Sequence, residues 1–569
     1  MYAYKRATQS ERDQASATPS DELRVAVTFK KQGSDIGPTK FLPPLSLSSV
    51  KQFDPDPLHV DQAIHFLSNR GFRPTSRGKL TVSVRATRAQ FEETFGTRLE
   101  EVRLDPKQDY AFHSFYFPPQ GAPWSPPAEL ADIIDDAYIQ WPHIYMASRK
   151  PAVRRAKRRG QRTPAAKLAQ MQAAATAPAP AAGISANPPD VDYYHLAIPD
   201  GVTGLLNVPQ VHQAGTTGKG VRVAMVDTGF AHSHPYFVSR HYNSSVDLAP
   251  HAINDATDPN GHGTGESANL FAVAPDITFI GIKVDNDNDP NSGASMLEGF
   301  QQALLHNPQI ISLSMGYDLR NADWTQQSEL PNNMAALEAE IQAAVAKGIV
   351  VVFSAGNGHF SFPGMMPNVI SAGGVFVDHD GSMQASNYSS AFQSKIYPGR
   401  SVPDFCGLVG MLPRAMYIAL PVPPGSETDK EMSLPDDQNN PGDTTTVDDG
   451  WGLFSGTSAA APQLAGVCAL LLQKNPGLTP SDVKSILRRS ARGVTQGAAN
   501  PTSSDNNIGE PAGPGDTGAA GAGLVDAMAA WIRPLISAAM ATCSHWRTAA
   551  ASRIDKGAAV TVSINRPMG

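Results

Sequence analysis

Apolar, β-branched runs that alternate with helical stretches constrain this chain more than any other feature. Residues 220–226 (Gly-Val-Arg-Val-Ala-Met-Val), 271–284, 309–313 (Gln-Ile-Ile-Ser-Leu) and 349–353 (Ile-Val-Val-Val-Phe) each read as a buried strand. Between them, residues 296–305 and 334–347 read as helices, the second closed by Gly348. Strands without a polar face need cover on both sides, and the intervening helices supply it. The predicted fold is therefore α/β, a parallel sheet with helices on both faces. In such a sheet, working residues gather at the carboxyl ends of the strands. Three of those ends carry polar strings with glycines: Asp227-Thr-Gly229, Ser314-Met315-Gly316 and Ser354-Ala-Gly356-Asn357-Gly358.

A chain of 569 residues exceeds one ordinary domain. Its 41% hydrophobic content suits a large core. The net charge of −7, from 46 basic and 53 acidic side chains, is too mild an imbalance for a general nucleic-acid binder. Cys406, Cys468 and Cys543 have no CxxC spacing, so neither a disulfide framework nor a zinc site is expected. Cys468 lies on an apolar helical stretch and reads as a small buried side chain. The first 13 residues lack the apolar core of a signal peptide, and no run of about 18 apolar residues occurs. The expectation is a protein that does not span a membrane, either cytoplasmic or exported by an unconventional route.

The N-terminal part has a different texture. Residues 1–20 are polar and read as a disordered tail. Within residues 21–147, strand-like alternation appears at 23–29, 79–87, 97–104 and 111–117. Residues 59–71, 88–95 and 127–139 read as helices. That order predicts a small ferredoxin-like α+β unit. Residues 148–190 follow, with nine Lys or Arg between 149 and 167 and no acid before Asp190. Such a stretch cannot bury a core; it reads as a solvated tether, compatible with a processing segment. Residues 191–535 hold the α/β pattern, and 536–569 form a C-terminal extension without a readable signal.

The reactive strings fall in the α/β part. Gly456-Thr457-Ser458-Ala-Ala-Ala-Pro462 opens a helical stretch bearing Leu464, Val467, Cys468, Leu471 and Leu472. A serine there either caps the helix or acts as a nucleophile at the positive end of its dipole. Gly261-His262-Gly263-Thr264 frees an imidazole edge between glycines. Asn357 either stabilises a left-handed turn or presents an amide NH₂ to an oxyanion. Taken in order, Asp227, His262, Asn357 and Ser458 sit in strings that resemble those of the subtilisin-like serine peptidases. Val273-Ala-Pro275, Ala385-Ser-Asn-Tyr-Ser-Ser390 and Gly521-Ala-Gly-Leu-Val-Asp526 also have counterparts there, and the resemblance covers about residues 200–530. It implies a serine endopeptidase of polypeptide substrates that needs no cofactor for its chemistry. Ser458 would attack, His262 would be the base, Asp227 would orient it, and Asn357 would bind the oxyanion. Ser314, Met315 and Gly316 would pair with substrate backbone, and Gly356 would help line the first specificity pocket. The family often holds structural calcium, which Asp285-x-Asp287-x-Asp289 could bind, but the string lacks the rest of an EF-hand loop and reads rather as a solvated turn. Residues 80–99 (Leu-Thr-Val-Ser-Val-Arg-Ala-Thr-Arg-Ala-Gln-Phe-Glu-Glu-Thr-Phe-Gly-Thr-Arg-Leu) resemble the activation domains of sedolisin/kumamolisin peptidases. This implies that residues 21–147 are a prodomain, an intramolecular inhibitor removed by self-processing.

Two departures matter. Glu266 stands where the family has an apolar residue, four positions after His262 and on the same helix face. It reads either as a solvated first-turn acid or as a member of the catalytic network. Sedolisins replace the histidine by glutamate and the asparagine by aspartate, whereas this chain keeps His262 and Asn357. A neutral-to-alkaline optimum follows, because His262 must be uncharged to accept a proton. Residues 410–447 read as a surface insertion. The alternative functions are a catalytically silent binding protein of this fold, and a transpeptidase or macrocyclase working through the same acyl-enzyme.

Overall fold

The computed structural model describes residues 22–31, 34, 37–38, 47–103, 114–118, 124–145, 183–289, 291–434, 442–515 and 518–533. The expected tail at 1–20, most of the basic tether, the 536–569 extension and Cys543 lie outside the described residues.

The N-terminal unit runs β1 (Glu22–Phe29), α1 (Pro57–Asn69), β2 (Arg73–Arg77), β3 (Thr81–Thr87), α2 (Arg88–Phe95), β4 (Glu100–Arg103), β5 (Ser114–Phe117) and β6 (Ile134–Ile139). Four strands form an antiparallel sheet in the order β2-β3-β1-β6, and β4 pairs with β5 as a separate ribbon. Local chemistry defines α2 well. Thr87 and Gln90 make a reciprocal capping box, and Gly96 ends the helix at φ 61°. Alternation along β1 sorts its side chains. Leu23, Val25, Val27 and Phe29 enter this unit's own core with Val60, Leu67, Phe91 and Phe95, whereas Ala26 joins the core of the neighbouring α/β domain. Residues 127–139 do not form the expected helix. A short 3₁₀ turn, Ala128–Leu130, leads into β6, which completes the edge of β1 and buries Ile134, Ala137 and Ile139. The need to pair the open edge of β1 overrides the local helical pattern.

The α/β domain follows β7 (Ile144–Tyr145) with β8 (Arg222–Asp227), β9 (Ser244–Leu248), α3 (His262–Val273), β10 (Thr278–Lys283), α4 (Met296–Leu305), β11 (Ile310–Leu313), β12 (Met315–Asp318) and α5 (Asn332–Ala346). Then come β13 (Val350–Ser354), β14 (Ile370–Val377), β15 (Met383–Ala385), β16 (Phe405–Leu408), β17 (Ile418–Pro421), α6 (Glu427–Ser433), β18 (Trp451–Phe454) and α7 (Thr457–Lys474). The main sheet has the order β9-β10-β8-β11-β13-β14-β15, with β16 also on β14. Its pairings are parallel except β14 with β15. On β8, Val223 and Met225 face a core shared with α3 and α7, while Ala224 and Val226 face one shared with α4 and α5. Helices therefore cover both faces.

Two readings change here. Residues 271–284 are not one strand: α3 runs to Val273, Pro275 interrupts, and β10 begins at Thr278. Residues 410–447 are not one surface loop either. Within them β17 is fully buried and pairs with β18 and with Leu196–Ala197, because Ile-Ala-Leu-Pro is apolar enough to join the core. Part of that segment, residues 435–441, lies outside the described residues.

The N-terminal sheet docks on α4 and α5 through buried charge. Arg85 donates to Glu298 at 2.9 and 3.2 Å. Glu298 also completes the capping box of α4 with Ser295. On α5, Glu340 accepts the backbone N–H groups of Lys79, Leu80 and Thr81 at 3.0, 2.6 and 2.7 Å, and the Thr81 hydroxyl at 2.8 Å. Truncating Arg85 leaves a carboxylate of 1% side-chain exposure without its main cation. Arg85→Ala is expected to destabilise the full chain by about 3–5 kcal/mol, read from chemical denaturation.

Candidate active site

Asp227 ends β8 and is 0% exposed, so its ionised form needs partners. His262 supplies one: its Nδ1 donates to Asp227 Oδ1 at 2.6 Å. The Thr228 N–H donates to the same oxygen at 2.8 Å. The imidazole comes from the first turn of α3, and glycine lets that turn abut the strand. A Cβ on Gly263 would lie 2.4 Å from Gly229 O and 2.8 Å from Asp227 Cβ. Asp258 holds the turn in place, a role the sequence reading did not assign. It accepts the Gly261 N–H at 3.0 Å, the Thr264 N–H at 2.9 Å, and hydroxyls of Thr228 and Thr264 at 2.9 and 2.7 Å. α6 braces the turn from outside, with the Glu427 and Thr428 N–H groups donating to Pro259 O and Asn260 O. Burial pushes the His262 imidazole down. The Asp227 carboxylate, with Glu266 and Asp258 adding to it, outweighs burial and raises His262 to about 9.

Ser458 is the second residue of α7 and is fully buried. Pro462 lies four residues on and has no N–H to give the Ser458 carbonyl. Ser314 Oγ donates to that carbonyl instead, at 3.0 Å. The Ser458 hydroxyl in turn donates to Ser314 O at 3.5 Å. It does not reach His262 Nε2, which is buried without a hydrogen-bond partner. The structure thus brings Asp227 to His262, and Ser458 to Ser314, and leaves the imidazole edge unpaired.

Asn357 follows β13. Its Oδ1 accepts both the N–H and the hydroxyl of Thr457 at 2.9 Å, which leaves the amide NH₂ as the donor end. The Gly356 N–H donates to Thr457 Oγ1 at 3.0 Å, so Thr457 ties this turn to the start of α7. Gly456 must be glycine: its φ is 99°, and a Cβ would sit 2.9 Å from Asn357 Nδ2.

Met315 and Gly316 lie on β12. One edge of β12 pairs with Ser361–Phe362. The other edge is taken by β7 from the N-terminal unit, Tyr145 opposite Met315 and Ile144 opposite Gly316, antiparallel. The Tyr145 ring stands 6.0 Å from the His262 ring, centroid to centroid, and its hydroxyl donates to Asp285. Burial raises Asp285 to about 7. Two residues of strand gave no sequence signal of their own, and their partner lies far along the chain.

The Asp285-x-Asp287-x-Asp289 string does not fit a calcium site. Asp285 takes the Tyr145 hydroxyl, Asp287 takes the Lys283 ammonium at 2.5 Å, and Asp289 takes the Asn291 N–H. Lys283 Nζ also donates to Asn254 O and Thr257 O at 2.9 and 2.8 Å, so a built-in cation already occupies this oxygen-lined turn. Among the described residues no group of three or more His, Cys, Asp or Glu side chains could hold a metal ion.

The sequence profile of the subtilase family (peptidase S8) matches residues 218–517, more than half of the chain. The chain belongs to the subtilase family. Serine protease AprX of Bacillus subtilis is 31% identical over 301 residues, which cover 48% of this chain and 61% of that protein. Subtilisin E of the same organism is 26% identical over 315 residues, covering 52% and 67%. The chain thus spans about three fifths to two thirds of the length of these relatives. The crystal structure of fervidolysin from Fervidobacterium pennivorans, a keratinolytic enzyme related to subtilisin, superposes with a TM-score of 0.51 at 16% identity. That likeness covers 92% of this chain and 62% of the other, and it is one of fold. No helix among the described residues of this subtilase is long and apolar enough to cross a membrane.

In this subtilase, Gly456→Ala forces a Cβ against the Asn357 amide at positive φ. The expected cost is about 1–3 kcal/mol, seen as a lowered unfolding midpoint, together with displacement of the Asn357 side chain in a crystal structure of the variant.

Proposed function

We propose that this subtilase is a serine endopeptidase, made as a self-inhibited precursor that cleaves itself. The observation that supports it best is the buried hydrogen bond from His262 Nδ1 to Asp227 Oδ1 at 2.6 Å, which leaves Nε2 as the only basic edge of the ring. In turnover the Ser458 hydroxyl leaves Ser314 O and turns to Nε2. His262 accepts its proton as Oγ adds to the scissile carbonyl, and Asp227 stabilises the imidazolium. The Asn357 NH₂ and the Ser458 N–H, near the N-terminus of α7, receive the oxyanion. The tetrahedral adduct collapses as Nε2–H protonates the leaving amine, and water then releases the acyl group by the same route in reverse.

Substrate backbone binds as an added strand on Met315 and Gly316. β7 already does this from within the chain, which supports the reading of the N-terminal unit as an inhibitory prodomain. Tyr145 pairs with Met315, the residue next to Ser314, whose backbone borders Ser458. Cleavage is therefore expected within a residue or two beyond Tyr145. The polypeptide substrates have the same extended form.

A second reading draws on the same strand. A cleft covered by β7, with Ser458 turned to Ser314, suits a catalytically silent binding protein. Intact mass and active-site labelling separate the two. The purified wild-type chain is expected to show the mass of a cut product ending near position 146 and to react with a fluorophosphonate, whereas Ser458→Ala stays intact and unlabelled. An intact, unlabelled wild type supports the silent reading. Asn357→Ala is expected to lose about 10²–10³ in kcat with little change in KM. Because protonation of His262 removes the base, kcat/KM should fall as pH drops through a pKa above that of free imidazole, about 6.5. Full activity at about pH 4 with none at 8 overturns the assignment of His262.

A further inference from the structure

Glu266 is the group in the site that this mechanism does not use. It lies on α3 one turn after His262 and is 0% exposed. Its two oxygens are in different situations. Oε2 accepts the Asn269 Nδ2–H at 3.0 Å. Asn269 Oδ1 accepts from Gln463 Nε2 on α7 at 3.2 Å, and Gln463 Oε1 accepts the Leu408 N–H at 2.7 Å. This buried chain fixes the carboxylate and ties the helix that carries His262 to the helix that carries Ser458. Oε1, by contrast, has no hydrogen-bond partner and lies 4.0 Å from His262 Nε2, which has none either. A buried acceptor left unpaired at that distance from the edge that handles the proton is not explained by folding alone, since an apolar side chain would fill the space without the desolvation penalty.

We propose that Glu266 is a positioning residue for His262: a second carboxylate, on the Nε2 side of the ring, that steers the imidazole edge and sets the pH at which the base is available. The proposal rests on His262 being the base, as argued above. The titratable groups facing this pair are few. Asp227 at the end of β8 meets Nδ1, and Asp258 in the turn before α3 acts on the ring from farther off. Glu266 itself feels His262 and Asp227. From β7 the Tyr145 ring stands 6.0 Å from the His262 ring, with its hydroxyl on Asp285. From β18 the neighbour is Phe454, and from α7 Gln463 reaches Glu266 through Asn269; neither Phe454 nor Gln463 titrates. Burial raises the Glu266 carboxyl to about 8, against the opposing pull of His262. Both groups are thus shifted upward, Glu266 by burial and His262 by the carboxylates around it. While the imidazolium exists, an ionised Glu266 faces its Nε2–H side as Asp227 holds Nδ1–H. No proton is transferred to Glu266 in the cycle; its charge only biases where His262 holds one.

The experiment compares pH profiles of kcat/KM for wild type, Glu266→Gln and Glu266→Asp in the full chain. Glutamine retains an oxygen for Asn269 and removes the charge. The acid limb of Glu266→Gln is expected to move to lower pH by about one to three units, with KM little changed, and Glu266→Asp to restore part of the shift. Coincident limbs for Glu266→Gln and wild type, with matching unfolding midpoints, overturn the proposal. A second readout does not need activity. In the Ser458→Ala chain, the His262 ring nitrogens followed by NMR should titrate at lower pH once Glu266→Gln is added; identical titrations also overturn it. A wild type with no activity at any pH defeats the peptidase reading, while this titration still tests the influence of Glu266 on His262.

Discussion

The pairing of one carboxylate with one imidazole, both out of reach of water, organises this molecule. Left alone at the buried end of β8, Asp227 would face a desolvation penalty of several kcal/mol. It is met by His262 because α3 begins where β8 ends, with a glycine at the contact and Asp258 bracing the turn. Everything else in the site is arranged around the second nitrogen of that ring. Ser458, the turn at Asn357 and the strand at Met315 belong to distant segments, joined by Thr457 and Ser314 rather than by sequence proximity. A proline that cannot donate is part of this arrangement, because the carbonyl it releases is the one Ser314 holds.

The N-terminal unit meets the α/β domain in two chemically distinct ways. On the helices α4 and α5 it uses fully buried ions, Arg85 against Glu298 and backbone N–H groups against Glu340. Such contacts are specific in geometry and costly to break on one side only. At the cleft it uses plain strand pairing, which recognises backbone and is indifferent to most side chains. The first kind of contact fixes where the unit sits; the second exploits that position.

Much of the α/β layout could be read from the chain, because strands buried on both faces leave long β-branched runs and their ends carry glycine-flanked polar strings. Residues 88–95 were equally legible, since a capping box and a terminal glycine are local signals. Three features were not. The strand at Ile134–Ile139 depends on an open edge of β1 more than a hundred residues earlier, and local helical spacing misleads there. β7 is two residues long and acquires its meaning only from β12. Glu266 stood out as an acid at an apolar position, but that one of its oxygens lacks a partner while the other is held by Asn269 is a property of packing between α3 and α7. The acidic string at 285–289 has a spacing that allows an ion, and in the structure a lysine from the preceding strand sits against it.

β12 has one flank paired at Tyr317 and Asp318 with Ser361–Phe362, and the other paired at Met315 and Gly316 with β7. Any event that lifts β7 away exposes a row of unsatisfied peptide groups, the kind of surface through which folded chains adhere to one another. Keeping that flank masked therefore also acts as a solubility device, shielding copies of the chain from sticking together.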